Sequence, residues 1–200
     1  MTALRLPPVG DNVPRRGNRF TRAFGRVVLR LFGWRIEGGL PDVPRAVVIG
    51  APHTSNWDFV GSVGAMLALG LDVGWLGKHT LFRRPFGRLM RRLGGIPVNR
   101  GAAAGVARDS VEAFRRRERL WLAIAPEGTR RSGGTWKSGF YRIARAADVP
   151  VLMVALDARG RRLTVGPLLR PGTDPEEADW QRLRDFYEPH LARHGRALRR

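Results

Sequence analysis

The chain has 200 residues, enough for one compact domain with a sizeable core, and its 43% apolar content excludes a disordered polymer. Cysteine is absent, which excludes a disulfide framework, a thiolate nucleophile and a cysteine metal site. With 36 basic residues against 17 acidic ones the net charge is +19, so the expected partner is anionic: phospholipid, nucleic acid or a phosphorylated substrate.

Residues 1–17 are rich in Pro, Gly and Arg and read as a mobile arm, which places a flexible arm at 1–18 before a single domain at 19–200. The stretch 2–18 lacks the continuous apolar core of a secretory signal, and no run reaches the length of a transmembrane helix, so a cytoplasmic protein is expected. From Asn18 to Trp34 the pattern turns helical. Phe20, Ala23, Phe24, Val27, Val28, Leu31 and Phe32 recur at three- and four-residue spacing, with Arg19, Arg22, Arg26 and Arg30 between them. Such a basic amphipathic helix either packs on the core with its arginines in water or lies on an anionic bilayer with its phenylalanines inserted.

After a turn-rich connection from Gly38 to Pro44, Ala46 to Ile49 is a β-branched run that predicts a short buried strand, stopped by Gly50 and Pro52. Thr54, Ser55 or Asn56 can cap the helix that follows. Phe59 to Leu71 is apolar and rich in small residues; at about thirteen residues it is too short to span a membrane and predicts a buried helix. Val73 to Leu76 predicts a strand ending at Lys78 and His79. Leu81 to Leu93 is a second basic amphipathic segment, interrupted or started by Pro85. A short strand at 94–98 leads into Asn99 and Arg100, Ala103 to Arg117 reads as helix, and Leu120 to Ala125 as a strand running into Pro126-Glu127-Gly128-Thr129-Arg130. A short helix at Tyr141 to Ala147, a strand at Val149 to Leu156, an edge strand at Leu163 to Leu168 and a polar, arginine-rich helical tail from Pro175 complete the chain.

Strands alternating with helices predict an α/β fold, with ligands at the carboxyl ends of the strands. The polar clusters fall at those ends: His53 to Asp58, Lys78-His79, Asn99-Arg100 and Glu127 to Arg130. A histidine at a strand end and an aspartate in the next helical turn can face one crevice. The carboxylate can then hold one imidazole nitrogen and leave the other basic toward a substrate. Alone, the pair reads equally as solvated side chains; three further clusters on the same rim favour a site. Only two of the basic residues are lysines, Lys78 and Lys137, each keeping a compact ammonium in an arginine-biased chain.

These clusters resemble, in order and spacing, the four sequence blocks of the glycerolipid acyltransferase family typified by 1-acylglycerol-3-phosphate acyltransferase. His-x-x-x-x-Asp is His53 and Asp58; an apolar turn ending in arginine is Gly95 to Arg100. Pro-Glu-Gly-Thr-Arg is intact at 126–130, followed by Lys137 near Gly139, and Val-Pro before an apolar strand is Val149-Pro150. Met153 stands where that block usually has a second proline. The resemblance implies a mixed, largely parallel central sheet flanked by helices, with an N-terminal amphipathic helix. It also implies acyl transfer from a thioester on coenzyme A or acyl carrier protein to a hydroxyl of a lysolipid, without metal or further cofactor.

In that reading His53 and Asp58 are catalytic. Arg100, Arg130, Lys78 and Lys137 hold phosphate, the arginines through paired hydrogen bonds and the lysines as point charges. Glu127, Gly128 and Thr129 complete the substrate-binding set. Glu127 fixes Arg130 or its loop, or accepts from the acceptor's free hydroxyl; its bland alternative is a salt bridge to a neighbouring arginine. Gly128 permits a tight turn, and Ser55 is a cap rather than a nucleophile. No Gly-x-Ser-x-Gly elbow exists, which excludes the usual α/β-hydrolase arrangement. The implied partners are the acyl donor, the lysolipid and an anionic membrane surface on the inner face of the cell membrane, not nucleic acid. The rival readings are acylation of a lyso-aminolipid and a non-catalytic basic membrane-binding module.

Overall fold

The structure, a computed structural model, describes residues 4–53, 55–98, 103–128 and 135–199. Thr54, Asn99, Arg100, Thr129 and Arg130 lie outside the described residues.

Alternating apolar residues build a seven-stranded sheet of order β1-β7-β6-β2-β5-β3-β4. The strands are β1 (Arg35–Glu37), β2 (Arg45–Ala51), β3 (Val73–Lys78), β4 (Gly95–Val98), β5 (Leu120–Ile124), β6 (Val151–Asp157) and β7 (Arg162–Leu169). From β6 to β4 the strands are parallel, β7 is antiparallel to β6, and β1 is parallel to β7. The sheet is therefore mixed and largely parallel, as expected. β7 is not an edge strand, because β1 covers it; three residues are too few to leave a periodic signal.

Parallel strands buried on both faces need cover on both. Val47, Ile49 and Ala51 of β2, with Val151, Met153 and Ala155 of β6, point to one core shared with α5 (Gly139–Ala146) and α6 (Glu176–Ala192). Phe114 brings α4 (Ala103–Arg116) onto the same core. The expected polar tail is in fact this α6: Trp180, Leu183, Tyr187 and Leu191 are all buried, at the spacing of one helical face. The charged and polar residues between them hide that stripe in the sequence.

Val48 and Gly50 point to the opposite face, toward α2 (Asn56–Leu69). α1 (Arg19–Leu31) packs outside α2, and the approach is close. A Cβ on Gly25 would stand 2.3 Å from the Ala68 nitrogen, so only glycine fits. Asn18 caps α1 by accepting the Phe20 and Thr21 amides. The described part of the expected flexible arm is docked instead. Val13 is fully buried, Arg16 and Asp72 pair by backbone with Gly70 and Pro14, and Asn12 bonds Asp42 twice. The segment Leu81 to Leu93 divides into a 3-10 turn (His79–Phe82) and α3 (Gly87–Arg92), with Pro85 between them. Among the described residues no helix is long and apolar enough to cross a membrane.

Candidate active site

Three parallel strands end on one rim, and each delivers part of the site. After β2 the chain passes Pro52 and places His53 over the sheet. The Nε2 atom lies 3.8 Å from where a Cβ on Gly50 would be, so the ring packs close over the end of β2. The extended Ser55 then caps α2: its hydroxyl accepts the Trp57 amide at 3.1 Å, and Asp58 Oδ2 accepts the Ser55 amide at 2.7 Å. Asp58 is fully buried at the start of α2, where the helix N-terminus favours its charge. The expected cap at Ser55 is thus present, with Asp58 as its reciprocal partner.

From β5 the turn 126–128 brings Glu127 to the rim, and Gly128 sits at φ +66, a left-handed conformation that favours glycine. Lys137 returns to this turn. Its amide donates to the Pro126 carbonyl at 2.9 Å, and its side chain runs within ordinary contact of Gly128, with Nζ 3.7 Å from a Cβ built there. Lys78, at the end of β3, lines the same opening.

Behind the rim is a cavity of about 580 Å³ between α2 and the sheet, inside the usual range of roughly 300–1,000 Å³ for small-molecule sites. Its wall is almost wholly apolar, with Phe59, Met66, Trp75, Trp121, Val154 and Leu156 among the lining residues. Its polar side chains are few: His53, Ser55, Lys78 and Glu127 from the rim, with Ser62 on α2. An apolar chamber with an imidazole and an ammonium in its lining suits an amphiphile.

Glu127 lines the cavity and is also paired within the protein. Its carboxylate is almost fully buried and meets Arg196 Nη1 at 3.3 and 3.4 Å, while the His53 backbone also hydrogen-bonds to it. Burial pushes the Glu127 carboxyl above the usual carboxylate range, the Asp58 charge adds to that rise, and Arg196 and the His53 backbone oppose it. The salt bridge expected as the alternative is present, and its partner lies 69 residues further along the chain. Nothing in the sequence marks Arg196 among so many arginines.

The structure therefore brings together His53, Asp58, Lys78, Glu127, Gly128 and Lys137. Arg100, Thr129 and Arg130 belong to the expected set but lie outside the described residues. The cavity itself escaped sequence reading; its only trace is the small-residue content of α2 and the alternation on β2 and β5.

An imidazole at a strand end, a buried aspartate in the next capping turn and a Pro-Glu-Gly turn on the adjacent strand thus share one rim. The Acyltransferase family model matches residues 35–157, and the chain belongs to this family. Its fold is also similar to the crystal structure of the 1-acyl-sn-glycerophosphate acyltransferase PlsC from Thermotoga maritima. That match has a TM-score of 0.58 and 22% identity over 88% of this chain and 77% of that one. No curated protein matches the chain.

Proposed function

We propose that the protein transfers a fatty acyl group from an acyl thioester, on coenzyme A or acyl carrier protein, to a hydroxyl of a lysophospholipid such as 1-acylglycerol-3-phosphate. The observation that carries this reading is the apolar cavity opening at His53. A hydrocarbon chain fills the chamber, and its thioester carbonyl then lies at the polar mouth. His53 takes the proton from the acceptor hydroxyl as its oxygen attacks the carbonyl carbon. The tetrahedral intermediate collapses to the ester, and the departing thiolate regains the proton from the imidazolium. Asp58, buried at the start of α2, orients the ring and stabilises its cationic form. Direct transfer needs no acyl-enzyme and suits a chain without cysteine.

Lys78 and Lys137 at the mouth, with Arg100 and Arg130, hold the phosphate of acceptor or donor. Supplying acyl thioester with a panel of lysolipids and following free thiol tests the reading. His53→Ala should abolish turnover, and equal turnover by mutant and wild type would overturn it. Acylation of a lyso-aminolipid in preference to every phosphorylated acceptor would move the assignment to the rival acceptor class.

A second observation favours peripheral attachment to an anionic membrane. On α1 the buried residues are Gly25 and Leu29, while Phe20, Phe24, Val27 and Leu31 stand exposed on the opposite face, Phe20 at 69% and Leu31 at 73%. That stripe, flanked by arginines, fits the interfacial reading of the helix better than the core-packed one. Trp57, half exposed beside the His53 turn, packs against Phe32 with the rings tilted and their centroids 5.2 Å apart, and extends the apolar surface toward the mouth.

A further inference from the structure

The chain beyond α6 does not trail away. The Arg196 amide donates to the Leu191 carbonyl at 3.1 Å, turning the segment back toward the rim, and Leu198 is buried in the core beneath. The Arg199 carbonyl accepts the Trp136 amide at 2.7 Å, and Thr135 and Arg199 form a parallel bridge. The next residue, Lys137, is the one whose amide bonds Pro126, immediately before Glu127. A ring of contacts is thus closed: Arg196 to Glu127 by charge, and Arg199 to the same turn by backbone through Trp136 and Lys137.

We propose that Arg196 is a positioning residue of the active site, holding in place the Glu127 carboxylate that fixes the His53 turn. The inference rests on the acyltransferase reading above. Arg196 touches no reacting atom; it acts through a carboxylate that hydrogen-bonds to the backbone carrying the base. Buried carboxylates are retained as anions only when paired. Around this one stand Arg196, the Asp58 carboxylate at the head of α2, Lys137 beside Gly128, and Lys78 and His53 at the mouth. Without Arg196, burial and Asp58 both drive Glu127 to take up a proton. Neutral Glu127 is a weaker acceptor for the His53 backbone, and the imidazole loses its aim.

The test is a pH profile of thiol release by the full chain carrying Arg196→Met, Arg196→Lys, Glu127→Gln or Glu127→Gln with Arg196→Met. With Arg196→Met, kcat should fall by about tenfold to a hundredfold through misplacement of the base, with KM changing less. Its acid limb should move up by at least about one pH unit, the scale of a lost opposite charge. Arg196→Lys should restore the limb, and in the Glu127→Gln background Arg196→Met should cost little more. A wild-type profile for Arg196→Met, a Lys variant no better than Met, or additive losses in the double variant would each overturn the proposal. Titrating the carbon-13 shift of the Glu127 carboxyl separates the two readings. A midpoint higher in Arg196→Met than in wild type supports the coupling even if no lysolipid is acylated, whereas equal midpoints refute it.

Discussion

Asp58 Oδ2 accepts the Ser55 amide at 2.7 Å, so the carboxylate proposed to orient His53 also closes the capping turn of α2. One side chain serves the helix and the proposed chemistry, and two substitutions separate these tasks. Asp58→Asn keeps an acceptor for the Ser55 amide, and stability should stay within about 1 kcal/mol of wild type. Its kcat should nevertheless fall by roughly a hundredfold or more, because a neutral amide cannot stabilise imidazolium. Asp58→Ala should lose comparable activity and also about 1–2 kcal/mol of stability with the cap. Urea melts and initial rates on the same preparations check both.

Cavity volume should set which acyl chains are used. Ala123 lines the chamber from β5, and Ala123→Leu adds three carbons to space the wall leaves open. The variant should discriminate against long thioesters while retaining short ones, with stability changed by less than about 1.5 kcal/mol. A series of saturated acyl thioesters, compared by kcat/KM, reads the shift.

The chain has only two tyrosines, and both are held neutral. Tyr187 is fully buried and pushed well above its ordinary value by desolvation. Tyr141 is pushed up to about 12, first by burial and then by donating to the Asp179 carboxylate at 2.8 Å. A phenol whose folded value is raised contributes stability that is complete below the unfolded value near 10 and is lost as pH rises through the folded one. Stability should therefore fall between pH 10 and 12, and tyrosinate absorbance should rise together with loss of near-ultraviolet circular dichroism. Tyrosinate appearing in the folded protein at pH 10 would contradict this environment.

Tyr187 also ties two strands. Its hydroxyl donates to the Ile49 carbonyl at 2.8 Å and accepts the Val154 amide at 2.9 Å, joining β2 to β6 just before the His53 turn. Tyr187→Phe leaves buried backbone groups unsatisfied and should cost about 1–3 kcal/mol, measured by chemical denaturation.

Phe20→Ser with Phe24→Ser should weaken binding to anionic vesicles by at least about tenfold, since each inserted ring supplies roughly 1.5–3 kcal/mol. High salt should weaken wild type partially and release the double variant fully. Sedimentation with vesicles of increasing anionic content separates the apolar and ionic parts. Equal binding by both proteins would show that α1 does not insert.

The rim of the site was legible in the sequence because strand-end chemistry is local. His53, Ser55 and Asp58 fall within six consecutive residues, and Gly128 lies in a turn of its own. The β-strands that carry them showed as apolar runs for the same reason. What stayed hidden is non-local. The Arg196–Glu127 pair joins residues 69 apart, and Arg196 is one arginine among many; the chamber exists only where α2 crosses the sheet at a distance. The helix α6 is legible in the sequence but its buried face is not, because charged and polar residues fill most of the positions between Trp180, Leu183, Tyr187 and Leu191. The docking of the N-terminal segment leaves no periodic signal, because its ties are scattered: Val13 in the core, backbone bonds at Pro14 and Arg16, and Asn12 on Asp42.

Gly25 presses the α1 backbone against Ala68 with no side chain between them. The outer helix is thus seated directly on the helix that walls the chamber. A protein resting on lipid through the phenylalanines of α1 would present the imidazole at a set height above the bilayer. An acceptor hydroxyl is then selected partly by elevation: how far its headgroup carries it out of the membrane plane.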